Sequence, residues 1–386
     1  MLIPTEPVWI DTDEALAELC SRWRQQAAIA VDTEFMRSST FYPIAGLIQI
    51  GDGRGCYLID PLAIRALEPL RELMLDEQVT KVFHSCSEDL EVFQCLIDCV
   101  PSPIFDTQIA AAFAGFGFSI GYAGLVKATL LHDIPKEETR SDWLQRPLSV
   151  AQLKYAALDV AHMLVVYGKL LQILKGSDRL DWVKDDCAEL VRQAREPEDF
   201  SVAWKKIGLA WKLRSAELAV LRDLCIWRET EARARDIPRN RLIREAPLWE
   251  LARKQPEDIP ALQRIEDIPQ RTLQQDGETL LAIIHSARHS SPDSWPQRPE
   301  PPLAKSEAPL MRALKNCTRE RAEALELPAE VLVRKKEYEF IVRSGMRGKP
   351  YQLPERLHGW RYPIIGQSLL EVTRQPLTGA DEEEAS

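Results

Sequence analysis

Through its first half the chain alternates short apolar runs with turn residues. AAIAVDTEF, GLIQIGD and GCYLIDP each have the length and β-branched content of a strand. D-G-R-G lies between the last two and predicts a hairpin. Pro61 is read as opening a helical stretch to about Asp76. KVFHS follows as a strand, EDLEVFQCLI as a helix and IFDT as a fifth strand, before DTQIAAAFAG begins a mostly helical remainder to Leu174. A closely spaced antiparallel meander followed by strand–helix alternation predicts a mixed sheet with helices packed on it.

The pattern changes near EPEDFSVAW. From Trp204 the chain reads as helical, rich in Arg and Trp, with little strand signal. Residues 289–309, HSSPDSWPQRPEPPLAKSEAP, form a Pro/Ser-rich linker, and the acidic tail 375–386 is expected to be disordered. The segments flanking the linker repeat. ARARDIPRNRLIR (232–244) aligns without a gap on AEALELPAEVLVR (322–334), sharing Ala232/Ala322, Ala234/Ala324, Pro238/Pro328, Leu242/Leu332 and Arg244/Arg334. The expected organisation is one α/β domain over 1–180 and two helical modules over 204–288 and 310–374, the second reading as a duplicate of the first.

With 386 residues, two or three domains are expected. Hydrophobic content of 45% and charged content of 28% fit a soluble globular chain. No apolar run is read as long enough to span a bilayer, and MLIPTEPVWIDTDE lacks a basic start followed by an apolar core, so a cytoplasmic location without membrane contact is expected. Eight Cys are scattered without paired CxxC units and read as buried free thiols, Cys95 and Cys99 included. The net charge of −10 argues against nucleic acid, yet its distribution is uneven. Residues 1–180 hold 15 Lys and Arg against 24 Asp and Glu, whereas residues 204–290 hold 16 against 13 and residues 300–363 hold 13 against 9.

Chemistry enters with the acids. In a strand Asp32 and Glu34 point to one face, opposite Val31, Thr33 and Phe35. A strand end running into solvent is the plain alternative. Asp89 falls in the first turn of the helix after KVFHS, where an acid also suits the helix dipole. Ser149 is expected to cap a long helix on which Tyr155 and Asp159 stack four residues apart. Asp159 sits among apolar neighbours there, though an ordinary helix-to-loop hydrogen bond would also account for it. Together Asp32, Glu34, Asp89 and Asp159 offer hard oxygen donors for two divalent ions, Mg²⁺ or Mn²⁺, about 4 Å apart, with Tyr155 placed to orient a water.

VDTEF, HSCSEDLEVF and YAALDV, in that order, resemble the three blocks of the DEDD exonuclease superfamily, and the Tyr four before the last Asp resembles its DEDDy branch. The resemblance spans about residues 8–175 and extends to FYPIAGLIQI, YLIDPL, FDTQIAA and RSDWLQRPLS. The helical modules resemble HRDC domains. It implies an α/β ribonuclease H-like exonuclease domain followed by two all-α HRDC-like bundles, and a 3′→5′ exoribonuclease releasing nucleoside 5′-monophosphates. Its implied catalytic set is Asp32, Glu34, Asp89, Tyr155 and Asp159: Asp32, Glu34 and Asp159 hold the ion that activates water, Asp32 bridges to a second, Asp89 supports that one, and Tyr155 positions the nucleophile. Its implied partners are tRNA precursors and other small structured RNAs, with a monomer expected and no obligate protein partner.

Substrate contacts are expected at Phe35, Met36, Gln49 and His84. Three of them have a structural alternative: core packing for Phe35, an inter-strand hydrogen bond for Gln49, a satisfied histidine for His84. Asp106 reads as a helix cap in FDTQ, and Asp142 and Trp143 as bordering a substrate channel. In the helical modules Trp204, Trp211, Arg214, Arg239 and Arg241 are candidate RNA contacts, more of the Trp being expected in the core. The rivals are a DNA exonuclease using the same acids and a non-catalytic RNA-binding protein.

Overall fold

The computed structural model describes residues 5–135 and 141–375. The chain divides into two compact units. The first holds residues up to Phe35, Ala45–Arg195 and residues from Leu303 on; the second holds Met36–Ile44 and Glu196–Pro302. The acidic tail from residue 376 and Arg140, at the start of RSDWLQRPLS, lie outside the described residues.

The first unit is built on β1 (Pro7–Ile10), α1 (Asp13–Trp23), β2 (Ala28–Met36), β3 (Ile44–Gly51), β4 (Cys56–Ile59), α2 (Glu68–Leu75), β5 (Thr80–Phe83), α3 (Ser87–Ile97) and β6 (Ile104–Asp106). There follow α4 (Thr107–Phe113), α5 (Tyr122–Leu130), α6 (Val150–Ala161), α7 (Met163–Gly176) and α8 (Leu180–Arg195). The sheet is mixed, in the order β1-β4-β3-β2-β5-β6. β3 and β4 run antiparallel, as the D-G-R-G turn predicts, with Asp52 Oδ1 accepting from the Arg54 and Gly55 amides and Gly53 at φ 77°. The pairs β1–β4, β2–β5 and β5–β6 are parallel. Ile29, Ala30 and Val31 are consecutive and sealed from solvent, so both faces of central β2 are covered along this stretch.

Several local expectations are corrected. β1 was not foreseen: it is a four-residue edge strand with Val8 exposed, too short to show a pattern until it pairs with β4. The helix expected from Pro61 begins at Glu68. Carboxylates capture the amides before it, Asp60 taking Leu62 and Asp13 taking Arg65 and Ala66. α8, also unread, is charged except for a stripe, Val183, Cys187 and Val191, buried in the unit's core. The long helix after Ser149 breaks at His162 into α6 and α7. Together Val150–Gly176 is long and apolar enough to cross a membrane, contrary to the sequence reading. Its apolar residues Ala156, Ala157, Val160, Met163, Val166, Leu170 and Leu174 are packed inside the unit, which explains that composition. Cys95 is exposed and Cys317 half-buried, so the all-buried reading of the thiols holds only for the other six.

The second unit carries α9 (Ser215–Ala234), α10 (Arg239–Leu242), α11 (Glu245–Lys254), α12 (Ile259–Gln263) and α13 (Gln270–Arg288) around a core that includes Trp204, Leu221, Leu224 and Leu248. Residues from 303 fold as α14 (Ala308–Ala324), α15 (Ala329–Leu332), α16 (Lys335–Ser344) and α17 (Gln367–Arg374). Trp360 stacks on Trp182 of α8 at 4.4 Å, and Arg361 pairs with Asp186 at 2.6 Å, joining these helices to the first unit.

The sequence repeat is a backbone repeat. Asp236 and Glu326 both take positive φ, 48° and 53°. Ile237 N–H bonds Ala232 O and Leu327 N–H bonds Ala322 O, each at 2.9 Å. Pro238 and Pro328 then cap α10 and α15.

Candidate active site

β2 leaves the core at its C-terminal half, and its alternation brings Asp32 and Glu34 out on one face. α6 lies directly over β3, where Gly51 makes the close approach possible: a Cβ at Gly51 would stand 2.7 Å from Val160 O and 3.3 Å from the Ala30 Cβ. The helix is started by a capping box, Ser149 accepting from Gln152 N and Gln152 reaching back to the Ser149 amide. Asp159, on the third turn, is thereby set above β2. Ligand oxygens of Asp32, Glu34 and Asp159 all lie within 4.8 Å of one another.

Asp89 stands apart from that trio. Its Oδ1 accepts the Thr33 hydroxyl at 2.5 Å. The turn that presents it is held by Asp106, which takes the Ser85 and Cys86 amides while capping α4 through Gln108 and Ile109. The FDTQ cap of the sequence reading therefore has a second task. Thr33, assigned to the core face, was not read as a partner of the acids; its place between two of them was the available signal.

Burial raises all four acids, and repulsion from the others adds to it at Asp32 and Glu34. Asp32 is pushed well above the usual carboxylate range, first by burial and then by the charges of Asp89, Asp159 and Glu34. Burial, then Asp159 and Asp89, lift Glu34 to about 8. Asp159 rises to about 7 by burial, with a hydrogen bond from Tyr155 opposing, and Asp89 to about 6, with Thr33 opposing. Burial and the neighbouring carboxylates hold Tyr155 in its neutral form. Asp159 keeps one buried oxygen, Oδ2, without a donor. Four hard-oxygen donors that repel one another, one of them unsatisfied, fit a divalent cation.

The expected substrate contacts separate. Phe35 and Met36 are half-buried at the end of β2. Gln49 is 0% exposed with neither amide atom bonded, so the inter-strand hydrogen bond is absent and no surface is open to a nucleotide. His84 pairs through Nδ1 with Thr107 Oγ1 at 2.9 Å and packs 5.6 Å from Tyr122. Trp143 is buried with its ring 6.1 Å from Tyr155, while Asp142 accepts from Leu144 N and offers its carbonyl to Gln152. Tyr122 went unread: its buried phenol is raised by burial and then by the Asp159 charge. In the second unit Trp204 is core, Arg239 is paired with Glu229, and Arg214 is exposed but paired with Glu217. Trp211 lies beside the Lys212 ammonium, and Arg241 bonds the Ser38 carbonyl.

A mixed sheet with three carboxylates meeting over its central strand fits a metal-dependent nuclease, and residues 7–175 match the family described as 3'-5' exonuclease. Residues 217–284 match the HRDC domain. The chain is 47% identical to ribonuclease D of Pseudomonas paraeruginosa over 364 residues, covering 94% of this chain and 96% of the relative. It is 38% identical to ribonuclease D of Escherichia coli, covering 95% and 98%. The solved structure of Escherichia coli RNase D, described as an exoribonuclease involved in structured RNA processing, superimposes with a TM-score of 0.88 at 36% identity, over 95% of this chain and 98% of that one. The chain belongs to the ribonuclease D family, and with it to the 3′→5′ exoribonucleases.

Proposed function

We propose that Asp32, Glu34 and Asp159 hold one divalent ion and that Asp32, supported by Asp89, shares a second, Mg²⁺ or Mn²⁺, for stepwise hydrolysis from the 3′ end of RNA. The observation that carries this reading is the meeting of three carboxylates within 4.8 Å beside Tyr155. When bound, the ions would supply positive charge to the attacking water and to the departing 3′ oxygen. Tyr155, kept neutral and bonded to Asp159, orients that water through its hydroxyl. Asp32 and Glu34 come from one rigid strand and Asp159 from a helix locked on β3, so the acids are preorganised. The product is a nucleoside 5′-monophosphate, and the reading takes tRNA precursors and other small structured RNAs as substrates, in the cytoplasm, for a monomeric enzyme.

We read residues 204–288 and 310–374 as two HRDC-like modules joined by the linker 289–309, supported by the repeated turn at Asp236 and Glu326. Their basic balance offers phosphate attraction that the acidic exonuclease domain lacks.

A 5′-labelled single-stranded RNA with a free 3′ hydroxyl, run beside a DNA of matching sequence, tests the reading. A metal-dependent ladder shortening from the 3′ end, lost in Asp159→Asn and weak on DNA, is expected. Equal loss of both strands would replace the RNA substrate with nucleic acid in general. Absence of shortening with either metal would leave a binding protein.

A further inference from the structure

Gln49 is the one side chain over the catalytic sheet, among the described residues, whose amide is fully buried with both polar atoms unbonded. A buried amide left without partners is destabilising, so its retention there calls for a partner. Its place identifies that partner. Gln49 shares a face of β3 with Gly51, whose absent Cβ would meet Val160 of α6 and the Cβ of Ala30 on β2. β2 and β3 are neighbours joined by residues 37–43, too few for a parallel crossover, so they pair antiparallel. With Ala30 beside Gly51, two steps along each strand set Asp32 beside Gln49 on the face covered by α6. Cross-strand neighbours have Cβ atoms about 4.5–5.5 Å apart, within reach of a glutamine amide. On its other side Gln49 stands in register with the apolar Leu58 of β4.

We propose that Gln49 is a positioning residue for Asp32: in the ion-bound site its Nε2, unbonded in this structure, would donate to the Asp32 carboxylate and set the orientation in which that group takes divalent ions. The role rests on the metal reading above and extends it to a residue without access to substrate. A buried donor behind a ligating carboxylate fixes which oxygen faces the ion, and loss of such a donor costs roughly 10–100-fold in metal affinity or activity.

Gln49→Met keeps the volume and removes both unpaired atoms. Thermal melting of this variant in EDTA should match or exceed the wild type, while Mn²⁺ titration by calorimetry, without RNA, should show affinity reduced about 10-fold or more. The same variant should lose kcat with KM for RNA unchanged, and Gln49→Glu, which places a like charge beside Asp32, should bind Mn²⁺ no better than Gln49→Met. Wild-type Mn²⁺ affinity in Gln49→Met would overturn the proposal, as would a rise in KM alone, which would make Gln49 a nucleotide contact. Asp32→Asn, titrated in parallel, separates the two levels. If it too binds Mn²⁺ like the wild type, the metal reading fails; if only Gln49→Met does, that reading stands and this inference falls.

Discussion

The Thr33 hydroxyl bonds Asp89 Oδ1 at 2.5 Å, tying the strand that carries Asp32 and Glu34 to the helix that carries the fourth acid. Thr33 is 6% exposed and Asp89 7%, so the bond is made away from water. Thr33→Val keeps the shape and removes the hydroxyl donor from the Asp89 carboxyl. It should destabilise the fold by about 1–3 kcal/mol and raise the Mn²⁺ concentration needed for half-maximal RNA cleavage, read by chemical denaturation and a metal titration. Unchanged metal dependence would reduce the bond to a structural one.

Tyr155→Phe removes only the hydroxyl. Because Tyr155 helps hold Asp159 down, its loss should lift the Asp159 pKa further. The expected result is a kcat lower by roughly 100-fold or more with KM for RNA retained. Comparable loss in KM would place the ring under the substrate instead.

The raised acids make stability depend on pH when divalent ions are chelated. Folded-state values above the unfolded ones mean that the native chain binds more protons, so stability is fully present below the ordinary carboxylate range and is lost as pH rises. For Glu34 that window runs from 4.5 to about 8; for Asp159 it runs from 3.8 to about 7. Melting temperature in EDTA should fall across it, and added Mn²⁺ should restore more at the alkaline end than at the acid end. A flat profile would show that the acids are better hydrated than their burial implies.

Gly51→Ala tests how firmly α6 must sit on the sheet. The new Cβ meets backbone, Val160 O at 2.7 Å, so the helix and Asp159 must shift. A cost of about 1–3 kcal/mol is expected, with cleavage reduced more than the stability loss explains at a temperature where the variant is folded.

Asp186→Ala leaves the Arg361 guanidinium, 3% exposed, without its carboxylate. Removing one partner of such a pair costs about 3–5 kcal/mol, and denaturation should show it, whereas Asp181→Ala on the exposed start of α8 should cost almost nothing.

Much of the candidate site was legible because its signals are local. The alternation of VDTEF, the i,i+4 spacing of Tyr155 and Asp159 and the Ser149 cap each lie within one element, and those elements formed, though the helix stops at Ala161. The repeat at 232–244 and 322–334 was legible for the same reason, since the turn at Asp236 and Glu326 is specified by residues within it. Cofactor-class chemistry followed from residue type: four acids cannot be gathered without a cation or protons.

What lay beyond sequence depended on partners distant along the chain. β1 is a strand only because β4 accepts it, and α2 starts late because Asp13, more than fifty positions earlier, takes two of the preceding amides. The split of the acids into a trio and Thr33-bound Asp89, the sealing of Gln49 beneath α6 and the packing of residues from 303 against α8 are long-range contacts. Sequence determined which residues are candidates for the chemistry and which elements present them, because periodicity acts over a few residues. Only the tertiary structure decided which acids meet and which polar groups lose water, because burial is a property of the packed chain.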